Sequence, residues 1–262
     1  MRIEDEWDDH IREMWQATKR KIRKGILYEF GVEDFERKLD DFRAIGPAPW
    51  SVVAMHNRNL AGIRSAFVAG AYYPALAGAA GLGERILNQI TLALRDEFAA
   101  DVATRRVLKK KAFDNWKLMI DVLESWGVLA PEIAQKYERL HRLRNDAVHY
   151  NIPTLDTAAR DEALEAVSLL QQIIERLFHP DPAAHLIPGI PGVEYLRLDV
   201  EQLPFVRGFF IPASVLVSPD HEWVSGDPVT VLDNTEYGRE EGITSLTDAE
   251  FAVRVGGHDE GG

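Results

Sequence analysis

The sequence predicts a mainly α protein, an up-and-down antiparallel helical bundle followed by a small acidic β-rich C-terminal module. Three observations carry this. Apolar residues recur at helical spacing through most of the first 180 residues. Prolines then cluster at Pro180, Pro182, Pro188 and Pro191, a composition that makes a stiff linker. Beyond them, runs rich in Val, Phe and Ile alternate with turn residues, the pattern of short strands. The expected division is therefore a bundle over 1–180, a Pro-rich linker over 181–192 and a β-rich acidic tail over 193–262. A chain of 262 residues is long enough for one large domain with a smaller module.

Taken in order, residues 3–24 read as a charged amphipathic helix with Ile3, Trp7, Ile11, Trp15 and Ile22 near helical spacing. Its last turns hold Lys19, Arg20, Lys21, Arg23 and Lys24, either a solvated helix end that suits the dipole or an RNA contact. A short helix over 32–44 ends at Gly46-Pro47. Ser51 is a plausible N-cap for a long helix over 51–72, and Pro74 opens the next, 75–100, within whose first turn proline is tolerated. Those two form the apolar centre, with small residues such as Ala66 and Gly70 allowing close approach. Leu82, Ile86, Leu87, Ile90, Leu94 and Phe98 form the buried side of the second. A polar connection over 101–111 ends in Lys109-Lys110-Lys111, a solvated run or a phosphate contact. A helix over 112–126 stops at Gly127, Pro131 opens the following one, and a last helix runs from Thr154 or Asp156 to about Leu177. In the tail, strands are expected over 193–200, 205–217 and 229–232, with turns at Ser218-Pro219-Asp220 and Gly226-Asp227-Pro228.

Charge is unevenly placed. The chain carries −12 overall, but residues 181–262 hold four arginines, no lysine and fifteen acids, a net of −11. The helical part is close to neutral, so overall acidity does not argue against nucleic-acid binding there. The absence of cysteine excludes disulfides, thiolate metal sites and a cysteine nucleophile. The acidic start is unlike a secretory signal, and the uncharged run over 65–83 is too rich in Ala and Gly, with Pro74 inside it, to read as a membrane span. A cytoplasmic protein with no membrane contact and no cofactor is expected. Glu138-x-x-His141 is half of a di-iron pattern without its second half, so no metal site is expected. There is no P-loop, no dinucleotide fingerprint and no internal repeat.

The stretch that carries chemistry is 136–151, KYERLHRLRNDAVHYN, expected on the helix that Pro131 opens and that ends before Pro153. Lys136, Arg139, Arg142 and Arg144 make it basic, and His141 reads as an ordinary surface histidine. Within it, Arg144-Asn145-x3-His149 combines a permanently charged planar fork suited to phosphate oxygens with an imidazole that titrates near neutrality. Asn145 precedes His149 by four residues, so both share a helix face. Positions five apart point roughly 140° away from each other on an ideal helix, so Arg144 and His149 do not meet by simple facing. Arg142, seven before His149, does share its face and is a second phosphate candidate. The alternative reading is a structural one, with Asn145 and His149 closing the helix end.

This motif resembles the signature of the HEPN superfamily, R-x4-6-H with a polar residue after the arginine. Toxin-type members continue H-x-Y, whereas this chain reads His149-Tyr150-Asn151. The resemblance implies a metal-independent endoribonuclease that needs no cofactor, with Arg144, Asn145 and His149 catalytic and a cleft shared across a homodimer. It also implies supporting or RNA-binding roles for Glu84, Arg142 and Tyr150, since an acidic residue on the 75–100 helix often faces the motif helix. Glu84 is otherwise an exposed helix carboxylate. The expected partners are RNA, a second copy and, through the acidic module, an antitoxin or anti-phage defence component. The rival implication is a non-catalytic HEPN-like dimerisation and protein-interaction module.

Overall fold

The computed structural model describes residues 8–148, 159–187, 195–213, 221–224, 230–233 and 247–256, and they are mainly helical. In chain order the elements are α1 (Asp9–Phe30), α2 (Phe35–Ala44), α3 (Ala54–Val68), α4 (Tyr72–Leu94), a 3-10 turn (Ala103–Arg106), α5 (Trp116–Ser125), α6 (Pro131–Val148) and α7 (Ala159–Phe178). Then come α8 (Pro182–His185), α9 (Leu198–Glu201), a π turn (Val206–Phe210), α10 (Ile211–Ala213), strands β1 (His221–Val224) and β2 (Thr230–Asp233), and α11 (Asp248–Gly256). None of the described helices is long and apolar enough to cross a membrane. The chain divides into two compact units: Met1–Ala48, Arg58–Gly83 and Lys136–Gln171 form the first, Pro49–Asn57, Glu84–Gln135 and Gln172–Gly262 the second. The division falls inside α3, α4, α6 and α7.

The first unit is held by polar clasps at helix ends as well as by its core. Ile26 of α1 is buried, and Arg23 reaches α2 by an ion pair to Glu36 at 2.8 Å and by lying 4.9 Å over the Phe35 ring. Helix α2 ends where Gly46 takes φ +64, and its freed carbonyls are satisfied by Arg64, which donates to Gly46 O at 2.7 Å and to Ile45 O. Gln171 also donates to Ile45 O at 2.8 Å and accepts from Arg64. Between α3 and α4 the chain breaks at Gly70, whose φ of +88 is a left-handed value that favours glycine. Gly70 thus serves the turn, and the close approach expected of small residues is made by Gly78. A Cβ there would lie 2.9 Å from Ile63 Cγ1. Deeper in this unit, the Asp41 side chain is fully buried and receives Arg37, Tyr72 and Arg160.

In the second unit Ser51 does not open a helix. It is buried, α3 starts at Ala54, and Asn57 closes the preceding turn by accepting from Ser51 N at 2.9 Å and donating to Ser51 O at 2.8 Å. Ser51 Oγ accepts from Val53 N and lies 3.1 Å from His56 Nδ1. His56 is 1% exposed and sits edge-on to Phe178, with ring centroids 4.5 Å apart. Burial, helped by Arg85, pushes its pKa down to about 4, and its Nε2 has no hydrogen-bond partner among the described residues. A histidine that protonates near 6.5 when unfolded, but resists the proton when folded, weakens the fold in acid. The contribution is complete above about pH 6.5 and is lost as pH falls toward 4, reaching about 2 kcal/mol at pH 5. Urea midpoints at pH 7 and pH 5 should show this loss in the parent and a smaller one in His56→Asn. Equal losses in both would remove His56 as its cause.

The rest of the second unit is built from caps and aromatics. Asn115 caps α5 by accepting from Leu118 N at 2.9 Å, and Gly127 at φ +69 ends it, with Val128 N donating to Leu123 O. Phe98, expected on a helix running to 100, lies beyond the end of α4 and stacks on Trp126 at 5.0 Å. The C-terminal expectation needs the larger correction. The described part of 205–217 is helical, not a strand, and 198–201 is helical too. Val206, Phe209 and Phe210 are buried, and Phe205 and Phe209 pack against Phe178 at 5.5 and 5.8 Å. These aromatics repeat at helical rather than alternating spacing, and Gly208 lets the backbone pass 3.1 Å from Leu94 at its notional Cβ. A β-rich module is not supported. Strand pairing among the described residues is the antiparallel hairpin of β1 and β2, from His221↔Asp233 to Val224↔Thr230, plus an isolated bridge between Leu186 and Leu196.

Candidate functional site

Helix α6 begins with Pro131 in its first turn, where the missing N–H costs nothing, and the described helix runs to Val148. Ile133, Ala134, Tyr137, Leu140 and Leu143 are buried, and their 3–4 spacing fixes which way the polar side chains face. Burial holds the Tyr137 hydroxyl well above the usual phenol range, so it stays a neutral core group.

The cations of α6 are sorted. Arg139 is gripped by Glu165 of α7 through two 2.6 Å hydrogen bonds, from Nε to Oε1 and from an Nη to Oε2. That fork holds the Glu165 carboxyl below the usual carboxylate range and raises Arg139 above its ordinary value. Arg139 is therefore already committed to a structural pair. Arg142 is exposed and Arg144 half-buried, and among the described residues no carboxylate lies within ion-pair distance of either. Arg144 instead donates to Asn145 Oδ1 at 3.2 Å.

Because an arginine can only donate, that contact fixes the Asn145 amide, whose Nδ2 then donates to His141 Nε2 at 3.2 Å. The bond requires Nε2 to be unprotonated, which leaves the ring proton on Nδ1. The structure thus brings together Arg144, Asn145 and His141. The last reads from sequence as an ordinary surface residue, though its position four before Asn145 is a signal for the pair. Such an array can present a positively charged fork beside a relay of two neutral polar groups.

His149 and Tyr150 lie outside the described residues. Glu84, half-buried on α4, belongs to the second unit, and its backbone carbonyl accepts from Asn88 Nδ2 at 3.1 Å. Among the described residues no group of three or more His, Asp or Glu is placed to hold a metal ion. No protein-family model, no curated protein and no solved structure matches the chain.

Proposed function

We propose that the chain is a HEPN-type, metal-independent endoribonuclease, a homodimer on an up-and-down helical bundle, acting in RNA restriction as a toxin or an anti-phage defence component. The observation that supports it most is the sorting of cations along α6. Arg139 is paired with Glu165, whereas Arg142 and Arg144, the two nearest the expected histidine, have no carboxylate within ion-pair distance among the described residues, Arg142 feeling Glu165 only at longer range. Two arginines without an ion-pair partner on one helix repel each other, and a phosphate backbone relieves that repulsion.

In the proposed reaction the ribose 2′-oxygen attacks the adjacent phosphorus and the P–O5′ bond breaks, leaving a 2′,3′-cyclic phosphate and a 5′-hydroxyl. His149 takes the 2′-OH proton or supplies one to the leaving oxygen. Arg144 balances charge on the phosphorane, and Asn145 holds the arginine. Two copies of the motif answer the 140° separation of Arg144 and His149, each completing the other's cleft. Purified protein in EDTA should cleave a mixed RNA pool and leave cyclic phosphate ends, and His149→Ala should abolish this. Cleavage that survives the substitution would sink the assignment.

Two observations favour the second reading, a non-catalytic interaction module. Asn145 is engaged on both sides by its own helix neighbours, as a structural lock would be, and the tail carries −11. That reading expects no cleavage and a partner lost on truncation after Ala213, a cut that keeps the cluster of Phe205 with the buried Phe209 and Phe210. Unchanged partners after that truncation would count against it.

A further inference from the structure

Basic residues gather in the second half of the connection between α4 and α5 and the start of α5, after a first half that holds Asp96, Glu97 and Asp101. Residues 102–121 hold Arg105, Arg106, Lys109, Lys110, Lys111 and Lys117 against only Asp114 and Asp121, in a chain whose net charge is −12. All six cations are exposed. Their bland reading is a solvated, mobile run whose charges spread apart. The backbone contradicts that.

The loop is pinned along its length. Thr104 is buried, donates from Oγ1 to Phe98 O at 2.6 Å and accepts from Trp126 Nε1 at 2.9 Å. Val107 is fully buried. Arg95 donates to Lys110 O at 2.6 Å. Asn88 then clasps Phe113 with both ends of its amide, donating to the carbonyl at 2.9 Å and accepting from the N–H at 2.7 Å. A backbone fixed at four places keeps the roots of these side chains together, and only their flexible stems can spread the charges.

Nor are those charges answered locally. Asp121 is shared between Lys117 at 2.9 Å and Arg106 at 3.9 Å, and Lys110 lies 5.8 Å over the Phe113 ring. Among the described residues Arg105, Lys109 and Lys111 have no carboxylate within ion-pair distance. Rigid, uncompensated like charge is an unfavourable arrangement in isolation and a preorganised one for a polyanion, which binds without first ordering the loop.

We infer that the loop over 105–117 is a phosphate-binding track for single-stranded RNA, with Arg105, Lys109 and Lys111 as its contacts. This rests on the reading of the chain as RNA-acting, and gives that activity a capture surface outside α6. A membrane surface fits less well. Val102 and Leu108, 72% and 40% exposed, are the large apolar side chains exposed in the segment, too little to insert between headgroups.

The test is fluorescence anisotropy of the full chain with a labelled, fully 2′-O-methylated oligouridine in EDTA, between 50 and 200 mM KCl. That probe cannot be cut by 2′-OH attack, so binding is read whether or not His149 is catalytic. Each phosphate contact to a single strand contributes about 0.7 to the slope of log K against log salt. The combined variant Arg105→Gln, Lys109→Gln, Lys111→Gln should therefore lower the slope by about 2. Across that salt range the parent would then lose about 20-fold more affinity than the variant. Arg43→Gln, Arg58→Gln, Arg176→Gln removes the same charge from exposed positions given no RNA role and should keep the parent slope. Equal slopes for parent and loop variant, or equal reductions by both triples, would overturn the proposal. So would RNA binding undiminished in a loop variant that alone no longer sediments with phosphatidylserine vesicles. Circular dichroism melts of both variants, expected to match the parent, confirm that folding is not what is being read.

Discussion

Arg144→Ala is expected to slow single-turnover RNA cleavage by about 10²- to 10³-fold, the usual effect of removing a fixed donor to a developing anion. Arg142→Ala should instead raise the RNA concentration for half-maximal rate and leave the chemical step nearly unchanged. Arg139→Ala should alter neither, because its guanidinium is committed to Glu165. The distinction lies in what holds each side chain. Arg142 is exposed and unpaired among the described residues, so it can meet a phosphate anywhere along its reach. Arg144 is half-buried and tethered by Asn145 at 3.2 Å, so it offers one geometry, which a transition state can use and a ground-state complex need not. Arg144→Lys keeps the charge without the fork and should recover little of the rate. Identical losses at Arg142 and Arg144 would mean that α6 supplies only bulk positive charge. A loss at Arg139 equal to that at Arg144 would mean that the helix has been disturbed and not its chemistry.

The helices are legible because their signals are local. Gly127 and Pro131 bound α5 and α6 where expected, and the apolar spacing of Leu82, Ile86, Leu87, Ile90 and Leu94 marks α4 without knowledge of any contact. The ends are less legible, since Ser51 is engaged by His56 and Asn57 instead of serving as a cap. In the tail, Phe205, Phe209 and Phe210 read as strand formers by composition, whereas their spacing is that of a helix; Phe178, which they cover, lies far off in sequence. At the candidate site, the residue types of Arg144 and Asn145 are readable. The pairing of Arg139 with Glu165 across 26 residues is not, and neither is the resulting exclusion of Arg139 from binding. Long-range polar pairs leave no periodicity in a sequence. The clasp of Asn88 on Phe113, which makes the basic loop rigid, is of the same kind.

Asp41→Ala is expected to cost about 3 kcal/mol, the lower edge of the penalty for removing one partner from a buried ion pair. Asp41 is fully buried on α2 and joins that helix to two distant segments, α4 and α7. Oδ2 receives Arg37 Nη1 at 2.7 Å and the Tyr72 hydroxyl at 2.9 Å, and Oδ1 receives Arg160 Nε at 2.8 Å. Arg37 also donates to Ala69 O at the end of α3, and Arg160 lies 6.0 Å from the Phe67 ring centre. Arg37 and Arg160 keep 33% and 38% of their surface, so each can turn toward water once the carboxylate is gone, which holds the cost at that edge. Asp41→Asn preserves shape and the acceptor for Tyr72 while removing charge, and should lose less. With an m-value of about 3 kcal/mol/M, the alanine change lowers the urea midpoint by about 1 M, read by far-ultraviolet circular dichroism. A second consequence runs along α7. Arg160, set by Asp41, anchors α7 to α2 and α4, whereas the Arg139–Glu165 pair is a single half-exposed contact between α7 and α6. Loosening Asp41 should therefore lower cleavage more than Arg139→Ala does, although Asp41 touches no part of the motif. A destabilised Asp41→Ala protein that still cleaved at the parent rate below its unfolding midpoint would show that α6 keeps its orientation without this cluster.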